Sequence, residues 1–242
     1  MSASANRFLQ SLNRGDFELL RPHLKDVNLA HSAVLFDVGR AIERIYFPHG
    51  GAISLLVVLS TGEMIEAGML GQDGVVGTPA ALDGGIAPYR AVVQIAGPAS
   101  YIETAAVKAA VASSKSLRVK LYQHDQLLLA QAQQSVACNA THHIEERLCR
   151  WLLRTHDLVN DNVLALTQEL MAQMLGVRRT SVTLAAHHLQ KIGLIKYRRG
   201  HVQILDLEGL QEVACECHRA VQEQSARLLA DASTSGRLSL VP

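Results

Sequence analysis

Aromatic residues make up only 4% of this 242-residue chain, so aliphatic side chains must supply most of its buried apolar surface. The chain also lacks an uninterrupted run of about 20 apolar residues, the length that a membrane-spanning helix requires. Its first residues show neither the basic stretch nor the apolar core of a secretory signal. We therefore expect a cytoplasmic protein that has no membrane partner.

Cysteine is scarce, and the four thiols, Cys138, Cys149, Cys215 and Cys217, do not follow the spacing of a disulfide-stabilised secreted domain. Cys215 and Cys217 are interpreted as residues of one helix, where positions two apart point in different directions. The adjacent residues His142 and His143 share no helical face for the same reason. The sequence therefore predicts reduced thiols, no metal site and no cofactor.

Motifs of the common enzyme classes are missing as well. We find no nucleophile elbow, no phosphate-binding loop, no pair of histidines at metal-ligand spacing and no paired acids with a plausible base. The sequence therefore predicts a protein that is not an enzyme, and no residue is assigned a catalytic role.

The first half of the chain shows a strand-turn-strand pattern. From about residue 27 to residue 103, short apolar runs such as Ala52-Ile-Ser-Leu-Leu-Val-Val-Leu alternate with turn signals such as Gly50-Gly51 and Ser60-Thr-Gly62. This pattern favours an antiparallel, jelly-roll-like β-roll. We assign residues 1–112 to a domain of this kind.

Glycine almost disappears after Glu103, and an apolar stripe then follows helical spacing through Leu117, Leu121, Leu128 and Ala132. The stripe predicts one helix that runs about 40 residues toward Thr155, with residues 113–138 as a dimerisation helix. The alternative is that the same stripe packs back on the roll in a monomer. Residues 138–140 are the predicted break, because asparagine at position 139 disfavours helix propagation.

The strongest local pattern lies between Leu166 and Ile195. Thr167 can cap a first helix, Gly176 permits a sharp turn, and a second helix can bury Val182, Ala185, Leu189 and Ile192. Two short strands around Arg199-Gly200 then indicate a basic wing. The whole pattern predicts that residues 139–242 form a winged helix-turn-helix domain that includes a C-terminal helix. Together with the β-roll and the long helix, this domain predicts an α+β fold for the chain.

Charge supports a nucleic-acid partner for this segment. Residues 170–205 contain six lysines and arginines and no acidic residue, although the whole chain has a net charge of only +1. Such a one-signed stretch is typical of a surface that meets phosphates. The predicted DNA-binding residues are Thr167, Arg178, Arg179, Thr180, Ser181, Thr183, His187, Arg198, Arg199 and His201.

These features resemble, in the same order, those of the Crp/Fnr superfamily of transcription regulators. The similarity covers nearly the whole chain: Gly62 to Gly77 resembles the glycine-punctuated strands of the roll, Glu145 to Leu153 the helix entering the DNA-binding domain, and Leu166 to Ile195 the helix-turn-helix. The resemblance implies that the roll of residues 1–112 is a cyclic-nucleotide-binding-like sensor domain. It also implies a homodimer, double-stranded DNA as partner and contact with RNA polymerase. The family's usual acidic base reader is replaced here by Thr180, and a later arginine by Leu184.

The resemblance also locates a divergent effector pocket at Gly77, Thr78, Tyr89 and Arg90. Cyclic-nucleotide-binding members place a glutamate for the ribose after this glycine and an arginine for the phosphate before the next strand. Thr78 replaces the glutamate here, and Arg90 comes one position late, so the anchoring chemistry is not expected. An iron–sulfur cluster is not expected either, because no cysteine precedes Cys138.

One alternative from another class stays open at this point. The chain can be a ligand-binding regulatory module of a signalling assembly, whose C-terminal hairpin docks a protein rather than DNA. Salt dependence separates the two hypotheses, because affinity for DNA falls steeply as salt rises.

Overall fold

The computed structural model describes residues 5–82 and 84–230, with side chains up to residue 226. The last part of the predicted C-terminal domain, residues 231–242, and the first residues of the predicted sensor domain lie outside this range. None of the helices within the described part of the chain is long and apolar enough to cross a bilayer.

Two antiparallel sheets form the predicted β-roll. Their strands are β1 (Lys25–Leu29), β2 (Val34–Phe36), β3 (Arg44–Pro48), β4 (Ala52–Val58), β5 (Met64–Leu70), β6 (Arg90–Ile95) and β7 (Gly97–Glu103). The first sheet has the strand order β1-β7-β3 and the second the order β2-β6-β4-β5. Side chains such as Phe36, Ile53 and Leu70 fill the space between the sheets.

Strand β4 is buried on both faces, which explains why its sequence is a continuous apolar run rather than an alternating one. Ile53 and Leu55 face the interior of the roll. Ala52 and Leu56 instead join a core formed mainly by the C-terminal domain. The two domains therefore share one continuous apolar contact.

Short helices cover the open end of the roll. They are α1 (Arg7–Ser11), α2 (Arg14–Leu20), the single 3-10 turn Arg21–His23, α3 (Thr78–Ala81) and α4 (Thr104–Ser113). Phe8, Leu9 and Val107 pack there against Phe47 and Ile102 of the sheet.

Helix α5 (Lys115–Thr141) is shorter than the sequence predicts. It has 27 residues, or about 40 Å, rather than about 40 residues. It continues through the predicted break at residues 138–140 and ends at Thr141, and the next residue, His142, adopts extended backbone angles. Helix α6 (Ile144–Val159) begins immediately afterwards, because His143 and Glu146 form a capping box at its N-terminus. The hinge between the helices is therefore at residues 142–143.

The stripe predicted for dimerisation faces the protein's own core. Leu117 and Leu121 are fully buried against the roll and its helices. Leu128 is partly buried and packs on the interior of the roll, and Ala132 is also partly buried. The alternative interpretation therefore holds for Leu117, Leu121 and Leu128, since apolar periodicity alone does not identify the surface that a helix buries.

The C-terminal domain contains α6, β8 (Val163–Leu164), α7 (Gln168–Leu175), α8 (Arg179–Lys191), β9 (Ile195–Arg198), β10 (His201–Ile204), α9 (Leu207–Val213) and α10 (Cys217–Ala230). Its three strands form a small sheet of order β8-β10-β9. Helix α10 returns to pack along α5. The predicted α+β architecture of roll, long helix and winged helix-turn-helix is confirmed.

Candidate nucleic-acid interface

The first helix of the motif, α7, is capped as predicted. The Thr167 side chain accepts a hydrogen bond from the backbone N–H of Leu170 at 3.1 Å. At the other end, Gly176 adopts a left-handed φ of +63°, which closes the turn toward α8. Ala172 is buried at the helix crossing, where a small side chain permits close approach.

Helix α8 divides into a buried and an exposed face. Val182, Ala185 and Leu189 are fully buried, as predicted. Ile192 is 48% exposed and does not belong to the buried face, because α8 ends at Lys191 and the chain turns away there. The exposed face consists of Arg179, Thr180, Thr183, Leu184 and His187, with Ser181 half-buried beside it.

The beginning of α8 is electrostatically suited to an anion. Arg178 occupies the N-cap position without a side-chain hydrogen bond to the helix, and the first turn contains no acidic residue. The first backbone N–H groups of a helix have no intrahelical acceptor and carry a partial positive charge. This end of α8 can therefore receive a phosphate oxygen.

The side chains of Gln168, Gln190 and Tyr197, which the sequence analysis missed, connect the parts of the motif. Thr183 donates a hydrogen bond of 2.8 Å to the side chain of Gln168, the first residue of α7. The Gln168 N–H donates to the Tyr197 hydroxyl at 3.3 Å, and the Tyr197 N–H donates to the Gln190 side chain at 2.9 Å. The only sequence signal for Gln168 was its position immediately after Thr167, the N-cap residue of α7. The wing and both helices are therefore held in one arrangement.

The wing is a two-residue hairpin. Arg198 pairs with His201 across β9 and β10, and Arg199 and Gly200 form the turn with φ values of +48° and +80°. Positive φ at both central residues matches the twist of a hairpin. Arg198, Arg199 and His201 are all exposed at this tip, so the predicted basic wing is present.

Few acidic groups approach this surface. Within the described part of the chain, Arg178, Arg198 and Arg199 form no ion pair, whereas Arg179 lies 3.9 Å from Glu169. Both side chains of that pair are largely exposed, so the contact leaves Arg179 free to find another partner. His188 meets Glu145 at 3.0 Å on the flank of the motif. The basic side chains face outward rather than toward internal carboxylates.

The four residues predicted for an effector pocket are placed in different environments. Gly77 adopts a φ of +103°, and Thr78 is buried and donates its hydroxyl to Asp125 of α5. Burial raises the pKa of Tyr89, whose hydroxyl has no hydrogen-bond partner among the described residues. Arg90 forms a bidentate pair with Asp37, at 2.9 and 2.6 Å. Its guanidinium is therefore already neutralised by a carboxylate.

A cavity of about 500 Å³ lies elsewhere, between the roll and helices α1, α5, α6 and α10. Its lining includes His124, Gln131, Asp73 and Arg154 together with Leu127 and Val221. Burial lowers the pKa of His124 to about 4, so this imidazole is neutral at physiological pH. Its Nε2 accepts the N–H of Val75 at 3.0 Å. The cavity thus combines apolar walls with a few fixed polar groups, as small-molecule sites do.

Comparison with known proteins agrees with this geometry. Residues 146–213 match the family model of the Crp-like helix-turn-helix domain. No curated protein sequence matches the chain significantly.

Solved structures share the fold at low sequence identity. FixK2 from Bradyrhizobium japonicum has 16% identity and a TM-score of 0.68, covering 79% of this chain and 98% of that one. TTHA1359, a CRP/FNR-family transcriptional regulator from Thermus thermophilus, has 24% identity and a TM-score of 0.65, covering 78% and 98%. The c-di-GMP-responsive regulator CLP from Xanthomonas campestris has 16% identity and a TM-score of 0.62, covering 79% and 99%.

The fold and the site thus define a winged helix-turn-helix protein with a β-roll. Residues 146–213 form a Crp-like helix-turn-helix domain, and the chain has the fold of the Crp/Fnr transcription regulators. The resemblance predicted from the sequence is confirmed.

Proposed function

We propose that this protein is a sequence-specific regulator of transcription that binds double-stranded DNA as a homodimer. The observation that carries the proposal is the exposed face of α8 together with the wing. Among the described residues, Arg178, Arg198 and Arg199 form no ion pair, and Arg179 forms only the exposed one with Glu169. The proposal includes a cytoplasmic location and RNA polymerase as a further partner.

In this proposal α8 enters the major groove. Arg179 is long enough to donate two hydrogen bonds to a guanine, and Thr180 and Thr183 offer hydroxyl groups to base edges. Leu184 is 73% exposed in the centre of the same face. An apolar side chain at this position fits the methyl group of thymine.

The remaining predicted residues position the motif on the DNA backbone. Arg198, Arg199 and His201 at the wing tip and Arg178 with the first amides of α8 are suited to phosphate contacts. Such contacts increase affinity for any duplex, whereas the α8 face discriminates between sequences.

The dimer interface is proposed on the exposed side of α5. Val119, Tyr122, Leu129 and Val136 are between 46% and 71% exposed, and the last three recur every seven residues. A seven-residue apolar repeat on an exposed helix face is the pattern of a two-stranded coiled coil. A symmetric pair would place two α8 helices in successive major grooves, about 34 Å apart.

The roll is proposed as a sensor with a divergent effector pocket. Arg90, the residue near the phosphate-binding position of cyclic-nucleotide-binding members, is already paired with Asp37. The 500 Å³ cavity between α5, α6 and α10, in contrast, is lined by residues of both domains. A ligand changes DNA affinity only if it binds one domain arrangement better than the other. Native mass spectrometry of the purified protein is the direct search for such a ligand.

The proposed function is tested by fluorescence anisotropy with a duplex selected from a random pool and with an unselected duplex. Arg179→Ala is expected to reduce discrimination between the two by about 1–3 kcal/mol, the value of one guanine contact. Arg14→Ala, an exposed arginine on α2, is the matched control and should change neither affinity. If selection from the random pool yields no preferred duplex, and the affinity for DNA does not depend on salt, the alternative of a protein-docking module is favoured.

A further inference from the structure

Four metal-ligand side chains meet at the hinge between α5 and the C-terminal domain. The donor atoms of Cys138, His142, Cys215 and Cys217 all lie within 4.8 Å of one another. The Sγ atoms of Cys138 and Cys215 are 3.5 Å apart, and the Cys217 Sγ is 3.5 Å from the His142 Nδ1. All three thiols are buried.

The fold brings these residues together from two separate segments. Cys138 and His142 lie four positions apart at the end of α5, so they share one face of the helix terminus. Helix α9 ends at Val213 and α10 begins at Cys217, which leaves Cys215 in the turn between them. The sequence interpretation placed Cys215 and Cys217 on one helix, and this was the wrong premise behind the prediction of no metal site.

Three sulfurs and one imidazole nitrogen form a donor set typical of tetrahedral Zn²⁺. Two sulfurs bound to one tetrahedral zinc at about 2.3 Å lie about 3.8 Å apart. The Cys138–Cys215 separation of 3.5 Å differs from this by a few tenths of an ångström. Buried thiols also occur as small apolar side chains, but here polar groups surround them.

The surrounding residues resemble the outer shell of a metal site. The His142 Nε2, on the far side of the ring from Nδ1, lies 3.2 Å from a carboxylate oxygen of Glu216. A carboxylate at this position fixes the tautomer that leaves Nδ1 free to bind a metal. The Gln134 side chain donates a hydrogen bond of 3.0 Å to the Cys217 sulfur, an interaction suited to a thiolate.

We propose that Cys138, His142, Cys215 and Cys217 bind one Zn²⁺ ion, with loss of the three thiol protons, and that this ion joins α5 to the C-terminal domain across the hinge. The site includes His142 of the hinge, so an occupied site restricts rotation of the DNA-binding motif relative to the roll. This regulatory consequence rests on the proposed function, whereas metal binding itself does not.

The site is tested on the full chain, purified under reducing conditions. Elemental analysis should find one zinc per chain. After chelation, Co²⁺ titration should give the visible bands of a tetrahedral ion and a thiolate-to-cobalt charge-transfer band. Cys138→Ser, Cys215→Ser and Cys217→Ser should each abolish the stoichiometric binding. Cys149→Ser, a buried cysteine outside the cluster, is the matched control and should keep it.

Two further measurements keep the proposal falsifiable if the serine variants fail to fold. X-ray absorption of the zinc-loaded wild type should find three sulfur and one nitrogen neighbours. Glu216→Gln, on the surface, should weaken Co²⁺ binding about 10- to 100-fold without loss of fold. Reduced wild type that binds no Co²⁺, or that only forms a Cys138–Cys215 disulfide on oxidation, would overturn the site.

DNA binding by the metal-loaded and chelated protein then tests the regulatory consequence. A change in affinity for the selected duplex on chelation that is absent in Cys138→Ser supports it. Equal affinity in both states overturns the regulatory consequence but leaves the site intact. If neither state binds DNA, the proposed function fails while the metal stoichiometry still decides the site.

Discussion

The guanidinium of Arg154 on α6 lies 2.7 Å from a carboxylate oxygen of Asp73 in the loop that follows β5. The same Arg154 nitrogen donates to the backbone carbonyl of Met69 at 2.8 Å. Burial alone would raise the pKa of Asp73, but Arg154 holds it below its usual value. The ion pair therefore attaches the first helix of the DNA-binding domain to the roll.

Breaking this pair should destabilise the protein. We expect Arg154→Gln and Asp73→Asn each to lower the free energy of unfolding by about 2 kcal/mol, because each leaves a partly buried charge without its partner. The double variant should lose clearly less than the sum of the two. These four proteins, the wild type, the two single variants and the double variant, form a double-mutant cycle, and urea unfolding measures the stability of each.

The control for this cycle is the ion pair between Glu18 and Arg21 on the surface, where both side chains are nearly half-exposed. Arg21→Gln should cost about 0.5 kcal/mol or less. Strict additivity of the Arg154 and Asp73 substitutions would show that the pair does not couple the two domains.

A second contact across the same boundary should make stability depend on pH. Glu66 of β5 accepts hydrogen bonds from Ser54 and from the Trp151 indole of α6, at 2.9 Å for the indole. Burial nevertheless raises the pKa of Glu66 to about 7. The folded protein keeps this proton up to about pH 7, whereas the unfolded chain releases it near pH 4.5. Rising pH within that window therefore favours unfolding.

Glu66→Gln keeps the acceptor for Trp151 but cannot ionise. The difference in unfolding free energy, variant minus wild type, should grow by about 2 kcal/mol between pH 5 and pH 8, since one pKa unit corresponds to about 1.4 kcal/mol. Other titrating groups cancel in this difference. Parallel stability curves for the two proteins would contradict the raised pKa.

Local features of this fold are readable from the sequence, and long-range pairings are not. The turn at Gly176 and the hairpin at Arg199-Gly200 follow from residues adjacent in the chain. The pairing of Arg90 with Asp37 joins positions 53 residues apart. The thiol pair of Cys138 and Cys215 joins positions 77 apart. No local pattern encodes such contacts, because tertiary packing creates them.

Helix α5 shows a different limit of sequence analysis. It carries two apolar stripes, one through Leu117 and Leu121 and another through Tyr122, Leu129 and Val136. Periodicity identifies both stripes as apolar but does not say which one meets the roll. The first stripe is the easier one to recognise in the sequence, because the second is interrupted by glutamines at positions 126 and 133.

Charge on the second stripe should therefore prevent dimerisation. Val136→Lys places an ammonium in the proposed coiled-coil seam, where two copies would bring like charges together. We expect sedimentation or light scattering to give a monomer at concentrations where the wild type is a dimer. Val163→Lys, at a 46% exposed valine on β8, is the matched control and should remain dimeric. If the Val136→Lys protein remains dimeric, the dimer interface does not lie on this stripe.

The wing tip offers a test that separates affinity from specificity. Arg199 holds a positive φ of +48°, a conformation that glycine adopts at no steric cost, so Arg199→Gly removes the charge without straining the turn. Thermal unfolding should therefore be unchanged or slightly higher. Affinity for the selected and the unselected duplex should fall by the same factor, because phosphate contacts carry no sequence information. The slope of log affinity against log salt should become shallower by about 0.9, the value for one neutralised phosphate. A weakening confined to the selected duplex would instead assign Arg199 to base readout.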